Sequence, residues 1–321
     1  MKKKLIRILK ISIPLLLGIF LIWYSLKSST PQERENLWQS IVDANKFWIF
    51  VSFFLGAVSH FSRAYRWKYM LEPMGYKTSQ SNRFMAVMVA YLANFGIPRS
   101  GEVLRAVTLS TYEDVPFEKG FGTIISERVA DLLILMLIIG FALILQTDDL
   151  LAYLNDQNIK PLNTFLLFLG LVVVIIIGLN IVNRSKWLPF QKIKKLAKGL
   201  LDGMKSILRM KQKWAFIFHT IFIWSMYLIM FFVIKLSIPE TAEAPLGIIM
   251  AAFVVGSFAV SATNGGIGVY PLAVGGVLMF FGIQDHAAEA FGWISWATQT
   301  FVVLIFGGLS FILLPLLNNR K

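Results

Sequence analysis

The stretch Tyr91–Val107, YLANFGIPRSGEVLRAV, sets Asn94, Gly96, Pro98, Arg99, Ser100, Gly101, Glu102 and Arg105 between apolar flanks. The chain around it is 56% apolar and only 15% charged, with a mean hydropathy of +0.66, against about 25% charged residues in a soluble domain. A polar string in such a setting has to satisfy its own backbone and charges. Pro98 forbids simple helical continuation, so a helix ends before it and a new one starts near Ser100 or Gly101, with Ser100 a candidate N-cap. The leg Phe84–Phe95 is then only about 18 Å long, which passes the middle of a ~30 Å hydrocarbon core without crossing it. The string predicts a re-entrant hairpin. Two full spans over Arg83–Val115 would have to carry Glu102, Arg105, Glu113 and Asp114 through the bilayer. They would leave the same loops on the same side, so hairpin depth stays open at this level.

Outward from this break, six segments reach the roughly 18 residues that cross a bilayer: Leu5–Leu26, Phe47–Leu71, Ile124–Gln146, Leu162–Val182, Trp214–Ser237 and Ala290–Leu317. The basic start MKKKLIRILK precedes too long an apolar run for a cleaved signal peptide and reads as a retained first helix. Lys and Arg gather before that helix, in Arg63–Lys119, in Arg184–Lys213 and at Arg320–Lys321, which together hold 25 of the 31 basic residues. The intervening connections hold 10 of the 18 acids. The positive-inside rule then puts both termini in the cytoplasm, and the expected location is a bacterial inner membrane. The net charge of +13 fits anionic lipid as partner rather than nucleic acid. With no cysteine, thiol chemistry is excluded.

A second apolar segment, Ala244–Gly282, is broken at SATNGGIGVYP and reads as a hairpin entering from the outer side. Each hairpin is flanked by two spans of matching order, so 47–146 and 214–317 read as two halves of an inverted-topology pair, as in many transporters. The expected fold is all-α: one polytopic membrane domain of six spanning helices and two broken re-entrant hairpins. Trp187–Lys213 carries apolar residues at helical spacing with lysines opposite and reads as an amphipathic helix in the cytoplasmic interface.

The chemistry concentrates at the breaks. A helix N-terminus beside Arg99 and Arg105 is an anion site, and Arg suits phosphate through its bidentate fork. The competing reading is that both arginines pair internally with Glu102 and other acids. In SERVADLL, Glu127 and Asp131 share a helix face, with Arg128 beside them. Arg63 and Arg66 lie at the inner end of the second helix, with Trp67 and Tyr69 as interface aromatics. In the second break, Asn264, Gly265, Gly266 and Gly268 let backbone amides face a ligand. No Walker-type G-K-[ST] is present, and His60, His219 and His286 show no metal spacing, so neither a nucleotide, a cofactor nor a metal is expected.

These strings resemble the membrane region of the lysylphosphatidylglycerol synthase family, also called the multiple peptide resistance factor or flippase-like family, over roughly Leu5–Leu317. The family's R-x-x-R-W…G is similar to Arg63, Arg66, Trp67 and Gly75. Its N…P-G-R-x-G-E-x-x-R is similar to Asn94, Pro98, Arg99, Gly101, Glu102 and Arg105, with the glycine between Pro98 and Arg99 missing here. Its E-R-x-x-D is similar to Glu127, Arg128 and Asp131, and its G-G-x-G to Gly265, Gly266 and Gly268. Where relatives carry Glu after G-G-x-G, this chain has Tyr270-Pro271; where they carry Arg in the final helix, it offers Trp293, Trp296 and Gln299. No aminoacyl-transferase domain follows the last helix, so synthesis of lysyl-lipid is not expected. The resemblance implies transport of a lipid or lipid-linked anionic headgroup between leaflets. The headgroup would be held by Asn94, Arg99, Ser100, Glu102, Arg105, Arg128, Asn264, Gly265, Gly266 and Gly268, with Arg63, Arg66, Glu127 and Asp131 in support. An intramembrane enzyme, or accessory to one, acting on polyprenyl-phosphate-linked glycans would use the same phosphate site.

Overall fold

The structure, a computed structural model, describes residues 16–25, 27–97, 99–146 and 210–318, and every regular element among them is helical. In chain order those of ten or more residues are α1 (Leu16–Ser25), α2 (Pro31–Asp43), α3 (Lys46–Leu71), α4 (Gln80–Gly96), α5 (Ser100–Tyr112), α6 (Phe117–Leu145), α7 (Lys213–Ile234), α8 (Leu246–Ala262), α9 (Val269–Phe280) and α10 (Asp285–Asn318). Among the described residues, four helices are long and apolar enough to cross a membrane: α3, α6, α7 and α10. The expected spans Leu162–Val182 and most of Leu5–Leu26, and the amphipathic helix up to 209, lie outside the described residues. At the end of that last segment Met210–Gln212 form a turn, and α7 starts at Lys213.

Helix α2 stands where the sequence reading put only a connection. The signal was present: Thr30 caps the helix, its hydroxyl accepting from the Glu33 amide (3.2 Å) while the Glu33 carboxylate accepts from the Thr30 amide (2.6 Å), and Pro31 takes the first turn. Those donors hold the Glu33 carboxyl below its usual range.

The chain divides into two compact units. The first comprises residues 1–124 and 211–321, and within it α3 packs on α7. Ser52 Oγ donates to the Met230 carbonyl (2.8 Å), Ser62 Oγ meets His219 Nδ1 (2.8 Å) and Arg66 lies against Phe216, so the pair is antiparallel. Between helices in lipid, close approach and interhelical hydrogen bonds replace the hydrophobic drive, and α10 shows this. A Cβ on Gly292 would sit 2.3 Å from the Pro271 carbonyl oxygen of α9, and one on Gly307 would sit 2.9 Å from Leu92 of α4. Asn318, at the far end of α10, exchanges amide hydrogen bonds with Asn82 of α4 (2.9 Å each way).

These contacts order the two helical hairpins along α10. The α8–α9 hairpin lies beside its first half and the α4–α5 hairpin beside its second half. Their bases are at opposite ends of a helix about 50 Å long, 34 residues at ~1.5 Å each. The helix order long, 17, 13, long in α3–α6 recurs as long, 17, 12, long in α7–α10. At 17 residues, α4 is longer than the 12-residue leg read from the sequence, because it continues back to Gln80. Glu113, which ends α5, is seated at the base of its hairpin: its Oε1 accepts from the Ser79 amide (3.0 Å) and Asn82 Nδ2 (2.6 Å).

The second unit covers residues 125–210, of which 125–146, the main part of α6, and Met210 are described.

Candidate functional site

Hairpin α4–α5 turns in very few residues. Ile97 is extended (φ −126°), and Arg99 adopts the left-handed conformation at φ +60° before α5 begins at Ser100. Ser100 is therefore not the N-cap the sequence suggested. It is the first helical residue, and its hydroxyl donates back to the Ala93 carbonyl (3.2 Å). Capping falls to Asn94, whose Oδ1 accepts from the Gly101 amide (2.8 Å) across the hairpin. Glycine is required at 101 because a Cβ there would lie 2.2 Å from the Ala90 carbonyl oxygen. Arg99 ends up exposed at the tip, with no ion pair among the described residues.

The second tip closes by a different device. Gly265, Gly266 and Gly268 all have positive φ (65°, 78° and 70°), which only glycine adopts without strain. Trp296 Nε1 of α10 donates to the Gly265 carbonyl (2.9 Å), and Gly268 lies against the backbone of Gly18 in α1. The two tips meet. Asn264 Nδ2 reaches the Gly96 carbonyl (3.4 Å), and a Cβ on Gly265 would strike the Phe95 ring at 2.4 Å. Asn264 is 1% exposed, and its Oδ1 is buried without a hydrogen-bond partner. Tyr270, just after the glycine-rich break, is buried within hydrogen-bonding reach of Ser295 and Gln299 on α10. A neutral pairing thus stands where the resemblance expects charges.

The arginines form a second layer. Arg105 is buried, with its guanidinium 3.8 Å above the Trp67 ring. Trp67 Nε1 donates to Thr123 Oγ1 (2.8 Å). Arg66 donates to Thr220 Oγ1 (2.8 Å) and lies over Phe216, and Arg63 is buried one turn before it. A desolvated cation–π contact is worth about 2 kcal/mol or more. Trp67 is therefore no interface aromatic; it is fully buried as the platform for Arg105. Its adjacency to Arg66 in the sequence gave no sign of this, since the partner cation comes from α5. Arg83 is a structural residue: it donates to the Ala64 carbonyl (3.2 Å), to the carbonyl and hydroxyl of Thr78 and to Gln80 Oε1 (2.8 Å), binding the loop before α4.

The structure thus brings Asn94, Arg99, Ser100 and Glu102 to the tip facing Asn264 and Gly265, and sets Arg63, Arg66 and Arg105 in a layer beyond it. Arg105 is six residues from Arg99, about 9 Å along α5. In the second unit Glu127 and Asp131 of α6 are buried, while the Arg128 side chain is 43% exposed, 4.0 Å from Asp131. No group of His, Asp and Glu among the described residues has the arrangement of a metal site.

Residues 11–307 match the family model described as lysylphosphatidylglycerol synthase TM region. The chain belongs to that family and is an integral membrane protein. A UPF0104 membrane protein of Methanocaldococcus jannaschii is 27% identical over 100 residues. That match covers 30% of this chain and 30% of the relative. No solved structure matches.

Proposed function

We propose that this member of the family moves a lipid with an anionic, phosphate-bearing headgroup between the leaflets of a bacterial inner membrane, acting as a transporter rather than an enzyme. The observation that carries the reading is the meeting of the two hairpin tips beside an exposed arginine. If α10 crosses the bilayer, hairpins stacked along its two halves enter from opposite faces, and their tips lie in the membrane interior. Irregular backbone and an unpaired cation at that depth are tolerated where they line a wet cavity. The repeated helix order of α3–α6 and α7–α10 supports an inverted pair, whose interface is where transporters hold substrate. With α3 entering from outside, the bases of α4–α5 and both termini face the cytoplasm.

In this reading Arg99 holds the headgroup phosphate by two parallel N–H···O bonds, beside the first turn of α5. The layer of Arg63, Arg66 and Arg105, each already engaged with protein groups, supplies a fixed positive field that favours the anion without gripping it. The test is leaflet exchange of fluorescent phosphatidylglycerol in proteoliposomes, read by dithionite quenching. Arg99→Gln should lower exchange while the protein remains folded, and Arg99→Lys should restore it only in part, since an ammonium lacks the bidentate fork. Exchange equal in wild type and Arg99→Gln would remove this residue from the site.

A further inference from the structure

On one side of the antiparallel α3–α7 pair the helices leave a cavity of about 330 Å³. Val58, Phe61 and Phe222 line its deeper end; Ser62, Tyr65 and His219 follow toward the α3 C-terminus, with Phe218 across from them. The outer rim is open: Phe61 is 53% and Phe218 61% exposed. At the polar end the Tyr65 and Tyr69 rings stand 5.2 and 5.7 Å from the His219 ring. Lys68 Nζ lies 4.8 Å from the centre of the Tyr65 ring and 3.3 Å from its hydroxyl. None of these groups belongs to the hairpin tips or to the buried arginine layer.

The accessible lining of the groove is apolar; Ser62 and His219 are bonded to each other, and the Lys68 ammonium lies just past its end, against Tyr65. From Val58 to Lys68 is ten residues of α3, about 15 Å, which is half of a ~30 Å hydrocarbon core, the depth of one leaflet. Both walls are membrane-crossing candidates, and an open apolar groove between two such helices fits an acyl chain. The ammonium at the shallow end sets the sign of the headgroup. Lysine and tyrosine at this level also match the interfacial positions where such side chains meet phosphate and ester groups.

We propose that this groove is a docking site for an anionic glycerophospholipid, one acyl chain against Val58, Phe61 and Phe222 and the phosphodiester past its end, beside Tyr65 and Lys68. The assignment needs only that α3 and α7 face lipid, so it stands apart from the translocation reading. Aromatic walls hold the chain by contact area, and Ser62 with His219 keeps the groove from closing by pinning the two helices at one fixed point. The site gives the protein a resident lipid on its outer face, chosen by headgroup charge.

The test is native mass spectrometry of the protein in mild detergent, titrated with phosphatidylglycerol or phosphatidylcholine carrying the same acyl chains. The wild type should retain phosphatidylglycerol in preference to phosphatidylcholine. Lys68→Gln should weaken phosphatidylglycerol roughly tenfold and leave phosphatidylcholine unchanged, as expected for loss of one charged contact. Val58→Trp, which fills the groove, should weaken both lipids, whereas Phe311→Trp, on the exposed face of α10, should weaken neither. Counting bound lipids separates the groove from the hairpin tips: Lys68→Gln should lose one phosphatidylglycerol that Arg99→Gln retains. Equal retention of the two lipids by wild type, or phosphatidylglycerol binding unchanged in both Lys68→Gln and Val58→Trp, would overturn the proposal. Lys68→Gln lies at a part-exposed position and keeps the test readable if Val58→Trp fails to fold.

Discussion

Replacing Arg99 by glycine should make the protein more stable and less able to handle its lipid. Arg99 sits at φ +60°, and a left-handed residue with a Cβ costs about 1–2 kcal/mol. Glycine removes that strain but adds freedom to the unfolded chain, a penalty of about 0.5–1 kcal/mol. The side chain is exposed and makes no ion pair among the described residues, so no internal contact is lost with it. The net expectation is a gain of between zero and about 1.5 kcal/mol, the difference of those two ranges. Arg99→Gln keeps the Cβ and the strain, and should leave stability close to wild type. The assay is thermal unfolding in detergent, with and without added phosphatidylglycerol, for all three proteins. A ligand stabilises only the state it binds, so lipid should raise the wild-type midpoint more than that of either variant. The opposite pattern would refute the reasoning. If Arg99 were an internal salt-bridge partner, its removal would leave a buried carboxylate unpaired and cost on the order of 3–5 kcal/mol. A clear loss of stability in both variants without lipid would show that. With no glycine between Pro98 and Arg99, the arginine itself makes the left-handed turn.

The hairpin's close approach gives a paired test: Gly101→Ala places a methyl 2.2 Å from the Ala90 carbonyl oxygen and should destabilise by about 1–3 kcal/mol, while Gly96→Ala meets nothing within 4 Å and should be neutral or stabilising by up to ~1 kcal/mol; thermal midpoints of equal sign for the two would contradict the hairpin geometry. Orientation can be read from single cysteines introduced into the cysteine-free chain: Ser79 should label from the cytoplasm and Asn36 from outside, and reversal at either position would sink the opposed-hairpin reading. Cysteines at Ser100 and Ser261 should react with small hydrophilic reagents if the tips border a wet cavity, and inertness of both under all conditions would mark the breaks as packed structure.

Much of this architecture was legible in residues alone. The run Phe47–Leu71 and the helix Lys46–Leu71 differ by one residue, because apolar length and the Asn45 and Glu72 flanks are local properties. The break at Gly96–Arg99 and the glycine-rich second break fell where the helices end, since proline and clustered glycine act on the backbone that carries them. The cap at Thr30 is equally local, but α2 carries too few apolar residues to show a helical periodicity. Family membership followed from the same kind of signal: short strings whose residue types and spacing survive in order along the chain. What the sequence could not supply was who meets whom. Asn264 reaches the Gly96 carbonyl across 168 residues, Trp67 lies under Arg105 from another helix, and Ser62 meets His219 across 157 residues. None of these pairs leaves a periodicity, because each depends on how closely two backbones approach and on the rotation of each helix about its axis. Hydropathy determines which segments leave water; it is indifferent to that rotation once every face is apolar. The few glycines and polar side chains that break the indifference act only when their partners are in place, and so the site was decided by tertiary packing.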